Sequence, residues 1–313
     1  MQIAIRMERL SKTFRVGFWG RKVKAVEELS VEVGEGEIFG LLGPNGAGKT
    51  TAIKMLLGFV RPTQGRAFVA GLPAGSMEAR RAIGYLPENP ALYEFLTGEE
   101  YLRFAGRLAG LGRREAASRA DQLLEQVGLA GRADRAIRRF SKGMVQRLAL
   151  AQALIGDPRI VVLDEPMSGL DPIGRKDVRD LIFQLRQQGR TVLFSTHILS
   201  DVEAICDRVG IMVGGRLTDC GSLDTLLEPG VRAVEIVARQ VPDQLAERLA
   251  VEGVQLMRRD GAVVLTFPSE PPAQEAVRAI VGAGGVLVSL APHRQTLENL
   301  FVQRARDAAT PRA

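Results

Sequence analysis

An apolar strand, Glu37 to Leu42, runs directly into Gly43, Pro44, Asn45, Gly46, Ala47, Gly48, Lys49, Thr50 and Thr51, and a helical segment, Lys49 to Gly58, follows at once. No other feature of the chain restricts its fold as tightly. Gly43, Gly48, Lys49 and Thr50 have the spacing G-x-x-x-x-G-K-[ST] at the point where a strand hands over to a helix. Glycines here let the backbone aim consecutive N–H groups inward as an anion nest, and the helix N-terminus adds the positive end of its dipole. On this reading Lys49 reaches the β- and γ-phosphates of a nucleotide, and the Thr50 hydroxyl ligates magnesium.

The rest of the chain is consistent with that start. Short β-branched apolar runs alternate with segments of helical period, as in an α/β domain with a largely parallel sheet. Further strands are read at Ile160 to Asp164, Thr191 to Ser195 and Val209 to Val213. Helices are read at Gly98 to Leu111, Arg114 to Val127, Gly143 to Ile155, Gly174 to Gln187 and Ile198 to Ile205. The first strands, near Ile3 to Leu10 and Val26 to Val33, have short connections and predict an antiparallel flank. A linker is expected around Leu226 to Gly230. Beyond it the order strand, helix, strand, strand, helix, strand over 231–306 is that of a small α+β ferredoxin-like domain. A last helix, Leu297 to Ala305, is expected to end in a flexible tail over 307–313.

IVVLDEP places Asp164 and Glu165 at the mouth of a buried strand, where charges need a partner and a metal ion is one. Asp164 is read as holding magnesium, directly or through water, and Glu165 as the general base or orienter for an attacking water. The formal net charge of +6 is thin over 313 residues and selects no polyanionic partner. Two cysteines, Cys206 and Cys220, and two histidines are too few for a disulfide framework or a structural zinc site. No run of 18 or more apolar residues is free of charge, so the chain is not expected to span a membrane itself.

With these motifs in order, residues 1 to about 225 resemble the ABC ATPase family closely, with a helical subdomain over about 88–157. FSKGMVQRLALAQALIGDP looks like the family signature, with Ser141 and Gly143 at its most characteristic positions and Phe140, Lys142 and Met144 departing from the usual residues. A Ser hydroxyl, a glycine and a helix N-terminus suit a γ-phosphate. In the family that phosphate is bound to the opposite subunit, so the resemblance implies a dimer of cassettes, here expected as a homodimer. Ser168 to Asp171 looks like the loop that touches the partner, and His197 stands where the family keeps a histidine facing the γ-phosphate. Glu88 replaces the usual glutamine that reaches magnesium-bound water. Phe14 stands where an aromatic stacks on adenine, with Phe18 and Trp19 as rivals.

The resemblance therefore implies ATP and Mg2+ as ligands and an ATPase that powers an exporter through a separate transmembrane permease subunit. It also implies a cytoplasmic chain, peripheral on the inner face of the membrane, and no nucleic-acid partner. Leu92, Tyr93 and Phe95 resemble the groove that receives a helix of that permease. A soluble ABC ATPase acting on the ribosome or DNA is the alternative, but one P-loop and one signature in a single chain favour the transporter subunit. A regulatory module without hydrolysis is disfavoured by Lys49, Asp164, Glu165 and His197 occurring together. The C-terminal unit resembles accessory domains of exporter-type subunits, with TLENLFV, Thr296 to Val302, as their closing segment.

Overall fold

In the computed structural model, residues 2–17, 20–227, 231–294 and 296–309 are described. The chain divides into two compact units, one of residues 1–223 and 304–313 and the other of residues 224–303.

The first unit holds two sheets. Strands β3 (Ile38–Leu42), β6 (Ile83–Leu86), β7 (Ile160–Asp164), β8 (Thr191–Thr196), β9 (Arg208–Val213) and β10 (Arg216–Ser222) form one in the order β10-β9-β3-β8-β7-β6. Pairing is parallel from β9 to β6, and β10 returns antiparallel to β9. Every residue of β3, β7 and β8 is buried, as a parallel sheet covered on both faces requires. Successive side chains serve opposite cores. Ile38, Val161, Leu163, Val192 and Phe194 join one with the helices of the signature half. Phe39, Leu41, Ile160, Val162 and Leu193 join the other, against the second sheet.

That second sheet has strands β1 (Ile3–Val16), β2 (Arg21–Gly34), β4 (Gln64–Val69) and β5 (Leu72–Pro73) in the order β2-β1-β4-β5, antiparallel throughout. This is the expected antiparallel flank, with longer strands than the apolar pattern indicates. Register shifts and the positive φ of Arg9 (48°) and Glu28 (50°) break the alternation that marks a strand in sequence.

The helices of this unit are α1 (Lys49–Leu56), α2 (Met77–Arg81), α3 (Gly98–Leu108), α4 (Arg113–Gln126), α5 (Lys142–Leu154), α6 (Pro172–Gln187) and α7 (Leu199–Ile205), with α8 (Leu223–Leu226) at its boundary. Their starts are written locally. Thr97 and Glu100 form a reciprocal capping box on α3, Ser141 caps α5, and Asp171 caps α6 with Pro172 in its first turn.

The second unit runs β11 (Val231–Arg239), α9 (Asp243–Leu249), β12 (Gln255–Arg259), β13 (Ala262–Phe267), α10 (Glu270–Gly282) and β14 (Val286–Arg294), with sheet order β12-β13-β11-β14, all antiparallel. The β12–β13 hairpin turns on Asp260 and Gly261, at φ 52° and 73°, the two left-handed positions a tight hairpin needs. Val234, Ile236, Leu265, Phe267 and Ile280 anchor its own core. The last helix, α11, spans Leu297–Ala309, so the tail expected to be flexible from Asp307 is helical to Ala309. Arg304 pairs with Asp219 through two bonds of 2.8 and 2.7 Å and lies 3.8 Å from Asp307, one turn on, which holds the helix beyond its apolar residues. Residues 310–313 and most of the expected linker, 228–230, lie outside the described residues. Among the described residues no helix is long and apolar enough to cross a membrane.

Candidate functional site

Parallel strands bring their carboxyl ends to one edge of the sheet, and at that edge α/β proteins hold ligands. Here the register is explicit. Leu42 pairs with Thr196, and Asp164 pairs with Ser195, so the residues that follow β3, β7 and β8 meet: Gly43, Glu165 and His197.

The loop from Gly43 to Gly48 wraps tightly, and its first and last glycines have no room for a side chain. A Cβ on Gly43 would lie 2.5 Å from the Met212 carbonyl oxygen, and one on Gly48, at φ 101°, would lie 2.3 Å from that of Ala25. Gly46, at φ 81°, supplies the remaining left-handed turn. Gly48 caps α1, and no side chain answers the N–H groups at that helix start. Backbone donors are thus directed into a cleft of about 290 Å³ lined by Asn45, Gly46, Lys49, Thr50, Thr51 and Glu88, with Glu165 at its wall.

Lys49 is buried and holds the loop from within. Its Nζ donates to the carbonyls of Gly43 at 2.6 Å and Pro44 at 3.3 Å, and lies 3.1 Å from Glu165 Oε1. The other carboxylate oxygen, Oε2, is 2.9 Å from His197 Nδ1. Glu165 therefore sits between a cation and an imidazole, 6% exposed, on a backbone at φ 49°. A left-handed non-glycine residue costs about 1–3 kcal/mol, and the fold holds this one through Ser195, whose hydroxyl accepts the Glu165 N–H at 2.9 Å. The same hydroxyl donates to Asp164 Oδ1 at 2.6 Å, which also accepts the Thr50 hydroxyl at 3.1 Å.

These oxygens fit magnesium. The ion takes hard oxygen donors, keeps waters and binds through one or two carboxylates plus substrate phosphates. Thr50 and Asp164 are already in hydrogen-bond contact at the phosphate end of the cleft, and Glu88 lines it from the loop after β6. The charges of Asp164 and Glu88 both reach Tyr85, whose hydroxyl is pushed up to about 12, first by burial and then by these two carboxylates.

Other expected site residues lie outside this cleft. Ser141 and Asp171 cap their helices, accepting the N–H groups of Met144 at 3.3 Å and Gly174 at 2.8 Å, with Gly143 in the first turn of α5. Phe14 lies on the β1–β2 ribbon opposite Val23, with the Lys12 ammonium 5.1 Å from its ring centre. Phe18 and Trp19 fall outside the described residues.

Two residues beyond the expected set matter. Ser195 orients the Asp164 carboxylate and the Glu165 backbone, and its only signal in sequence is a hydroxyl at the end of an apolar strand. Gln146, buried in α5, donates to the Pro166 carbonyl at 2.9 Å and so ties the signature helix to the Glu165 turn. A separate groove of about 760 Å³ on the helical side is lined by residues including Arg80, Tyr85, Tyr93, Phe104 and Leu108. Phe95 stands 84% exposed nearby in sequence.

Comparison with known proteins agrees with this geometry. The family described as ABC transporter matches residues 26–168. An uncharacterised ABC transporter ATP-binding protein of Synechocystis is 41% identical over 301 residues, 95% of this chain and 83% of that protein. A daunorubicin resistance ATP-binding protein of Streptomyces coeruleorubidus is 37% identical, over 91% of this chain and 92% of its own. Among solved structures, an ATP-binding subunit of an ABC transporter shares 34% identity at a TM-score of 0.63, covering 71% of this chain and 91% of that one. A cassette dimer bound to ADP and Pi matches at a TM-score of 0.64 with 24% identity, a likeness of fold. With its phosphate loop, paired carboxylates and signature helix on one such fold, the chain belongs to the ABC transporter ATP-binding protein family and carries that family's ATPase cassette.

Proposed function

We propose that two copies of this chain close head to tail on two ATP molecules, that hydrolysis reopens them, and that the movement drives export through a separate transmembrane permease. One observation carries the reading most directly: Glu165 is held by Lys49 at 3.1 Å and His197 at 2.9 Å on the wall of the phosphate cleft.

The chemistry follows from that cluster. The Lys49–Glu165 pair occupies a dry wall of the cleft in which two charges satisfy each other. Entry of a triphosphate gives Lys49 a stronger anionic partner and frees Glu165 to accept a proton from an attacking water. His197 holds Oε2 through Nδ1 and keeps the carboxylate turned toward that water. Ser195 keeps Asp164 and the Glu165 backbone in register. Thr50 and Asp164, with Glu88 on the same cleft, would hold magnesium, which would supply charge neutralisation at the phosphate oxygens. Backbone N–H groups of the Gly43–Gly48 loop bind the phosphates.

Ser141, Gly143 and Asp171 do not line the cleft of their own chain, which supports assigning them to contacts with the nucleotide on the second copy. Closure gains its free energy from those contacts, which exist in the closed pair alone. The permease contacts the groove around Tyr93, Phe104 and Leu108, whose exposed apolar side chains suit an amphipathic helix, and Glu88 links that side to the phosphate site. The chain then works on the inner face of the membrane, held there by its partner. The resistance function in the name of the Streptomyces relative supports outward transport. The second unit is assigned a role in stabilising or regulating the pair.

Phosphate release by the purified chain is expected to need Mg2+ and to rise more steeply than linearly with protein concentration. Glu165→Gln should abolish turnover, a loss of about 10²–10⁴-fold for a general base, while ATP still binds and holds a dimer on gel filtration. Wild-type turnover by that variant would overturn the assignment of the base. Copurification of a membrane protein, lost when Tyr93 and Phe104 are replaced by Ala, tests the permease contact.

A further inference from the structure

One buried acid has no part in the site just described. Asp201, in the first turn of α7, is 1% exposed, and its Oδ2 is enclosed without a hydrogen-bond partner. An unpaired carboxylate in such a place is costly to the fold. Burial pushes its carboxyl up from the ordinary carboxylate range. The charges that reach it are, in descending strength, Arg175, Arg179, Glu165 and His197.

Its neighbours in the chain and across the packing carry the inference. His197 lies four residues earlier, in the short connection from β8 to α7. That connection is stiff, because Ile198 N–H donates to the Thr196 hydroxyl at 3.0 Å and Asp201 N–H to the Ile198 carbonyl at 3.3 Å. Across from it, α6 packs on α7. Arg175, in the first turn of α6, donates through Nε to the Leu170 carbonyl at 3.2 Å. Leu170 belongs to the loop Ser168–Asp171, whose Gly169 turns at φ 68° over the Lys142 side chain. Arg175 thus grips the loop Ser168–Asp171, and of the charges that reach the unpaired Asp201 carboxylate its own is the strongest.

A guanidinium with one acceptor in use and a second available is a two-state element of the kind that couples sites. We propose that Asp201 is a positioning residue for hydrolysis. When the loop Ser168–Asp171 seats on a second copy, Arg175 exchanges the Leu170 carbonyl for the Asp201 carboxylate, and the new pair draws α7 and His197 onto the nucleotide. The proposal rests on the two-copy reading above. It explains why an acid stands unpaired where an amide or an apolar side chain would make the fold more stable, and it connects contact with the partner to the histidine that holds Glu165.

The test uses the full-length chain. Asp201→Asn, Arg175→Gln and the double variant are compared with wild type for kcat and KM of ATP hydrolysis, for binding of ATP to the single chain, and for melting temperature. Each single change is expected to lower kcat about tenfold with ATP affinity within about twofold, and the double change should cost no more than either alone. Asp201→Asn should melt at or above the wild-type temperature. Wild-type kcat in Asp201→Asn, or losses that multiply in the double variant, overturn the proposal. If Asp201→Asn does not fold, Arg175→Gln decides it alone, unchanged kcat counting against. Wild-type hydrolysis that rises only linearly with protein concentration is a different result, and defeats the underlying two-copy reading instead.

Discussion

Ser195 shows how much of the site depends on single side chains that do no chemistry themselves. Its hydroxyl donates to Asp164 at 2.6 Å and accepts from the Glu165 backbone at 2.9 Å, fully enclosed. Ser195→Ala leaves a buried carboxylate oxygen and a buried N–H without that partner, a cost of about 1–3 kcal/mol. The expected outcome is a lower melting temperature and a higher Mg2+ requirement for half-maximal turnover, read from phosphate release across a magnesium titration. Asp164, Glu165 and Lys49 were legible in sequence because each lies within a contiguous motif. Ser195 was not, because its role arises from the β7–β8 register that sets it against Asp164. Phe14, read in sequence as the residue that stacks on adenine, stands on the β1–β2 ribbon opposite Val23.

Elements with self-contained signals were read nearly in full. The start of α3 is an example, since Thr97 and Glu100 exchange bonds of 3.1 and 2.8 Å. Thr97→Ala removes that cap and should cost about 1 kcal/mol, a fall in melting temperature of about 2–4 °C for a domain of this size. The same box carries a pH dependence. The bonds from Thr97, backbone first and then hydroxyl, hold the Glu100 carboxyl below its ordinary value of 4.5. Its contribution is complete above pH 4.5 and is lost as pH falls through the lower folded-state value. Glu100→Gln should therefore lose less stability on acidification below that pH than wild type does, measured by thermal melts across a pH series. The apolar pattern does not mark the strands β4, β6 and β10 or the helix α2. β6 has four residues, and its Gly84 replaces the side chain a strand pattern needs. Packing explains the glycine, for a Cβ there would stand 2.1 Å from the Ala153 carbonyl oxygen in α5.

For the molecule as a whole, two compact units with separate apolar cores should give two unfolding transitions. All residues of the proposed ATP and Mg2+ site lie in the first unit, so calorimetry should show one transition rising with nucleotide and the other fixed. Occupancy at 100 times Kd contributes about 2.7 kcal/mol to the first. A single transition that shifts as one would show that the units unfold together.

By itself, the sequence determined that the chain folds as an α/β nucleotide cassette with a flank of antiparallel strands, because phosphate loops, helix caps and buried strands are encoded in short stretches of neighbouring residues. It also marked Glu165 and His197 as candidates for one site, and the structure brings them within 2.9 Å of each other. Only the tertiary structure decided that Lys49, Glu165 and His197 form one closed cluster, that Ser195 holds the Asp164 carboxylate and the Glu165 backbone together, and that Asp201 is buried in the first turn of α7 with Oδ2 unpartnered. Those facts depend on which strands lie side by side and in what register. Hydrogen bonds and desolvation act over a few ångströms between residues tens to more than a hundred positions apart, so local sequence cannot display them.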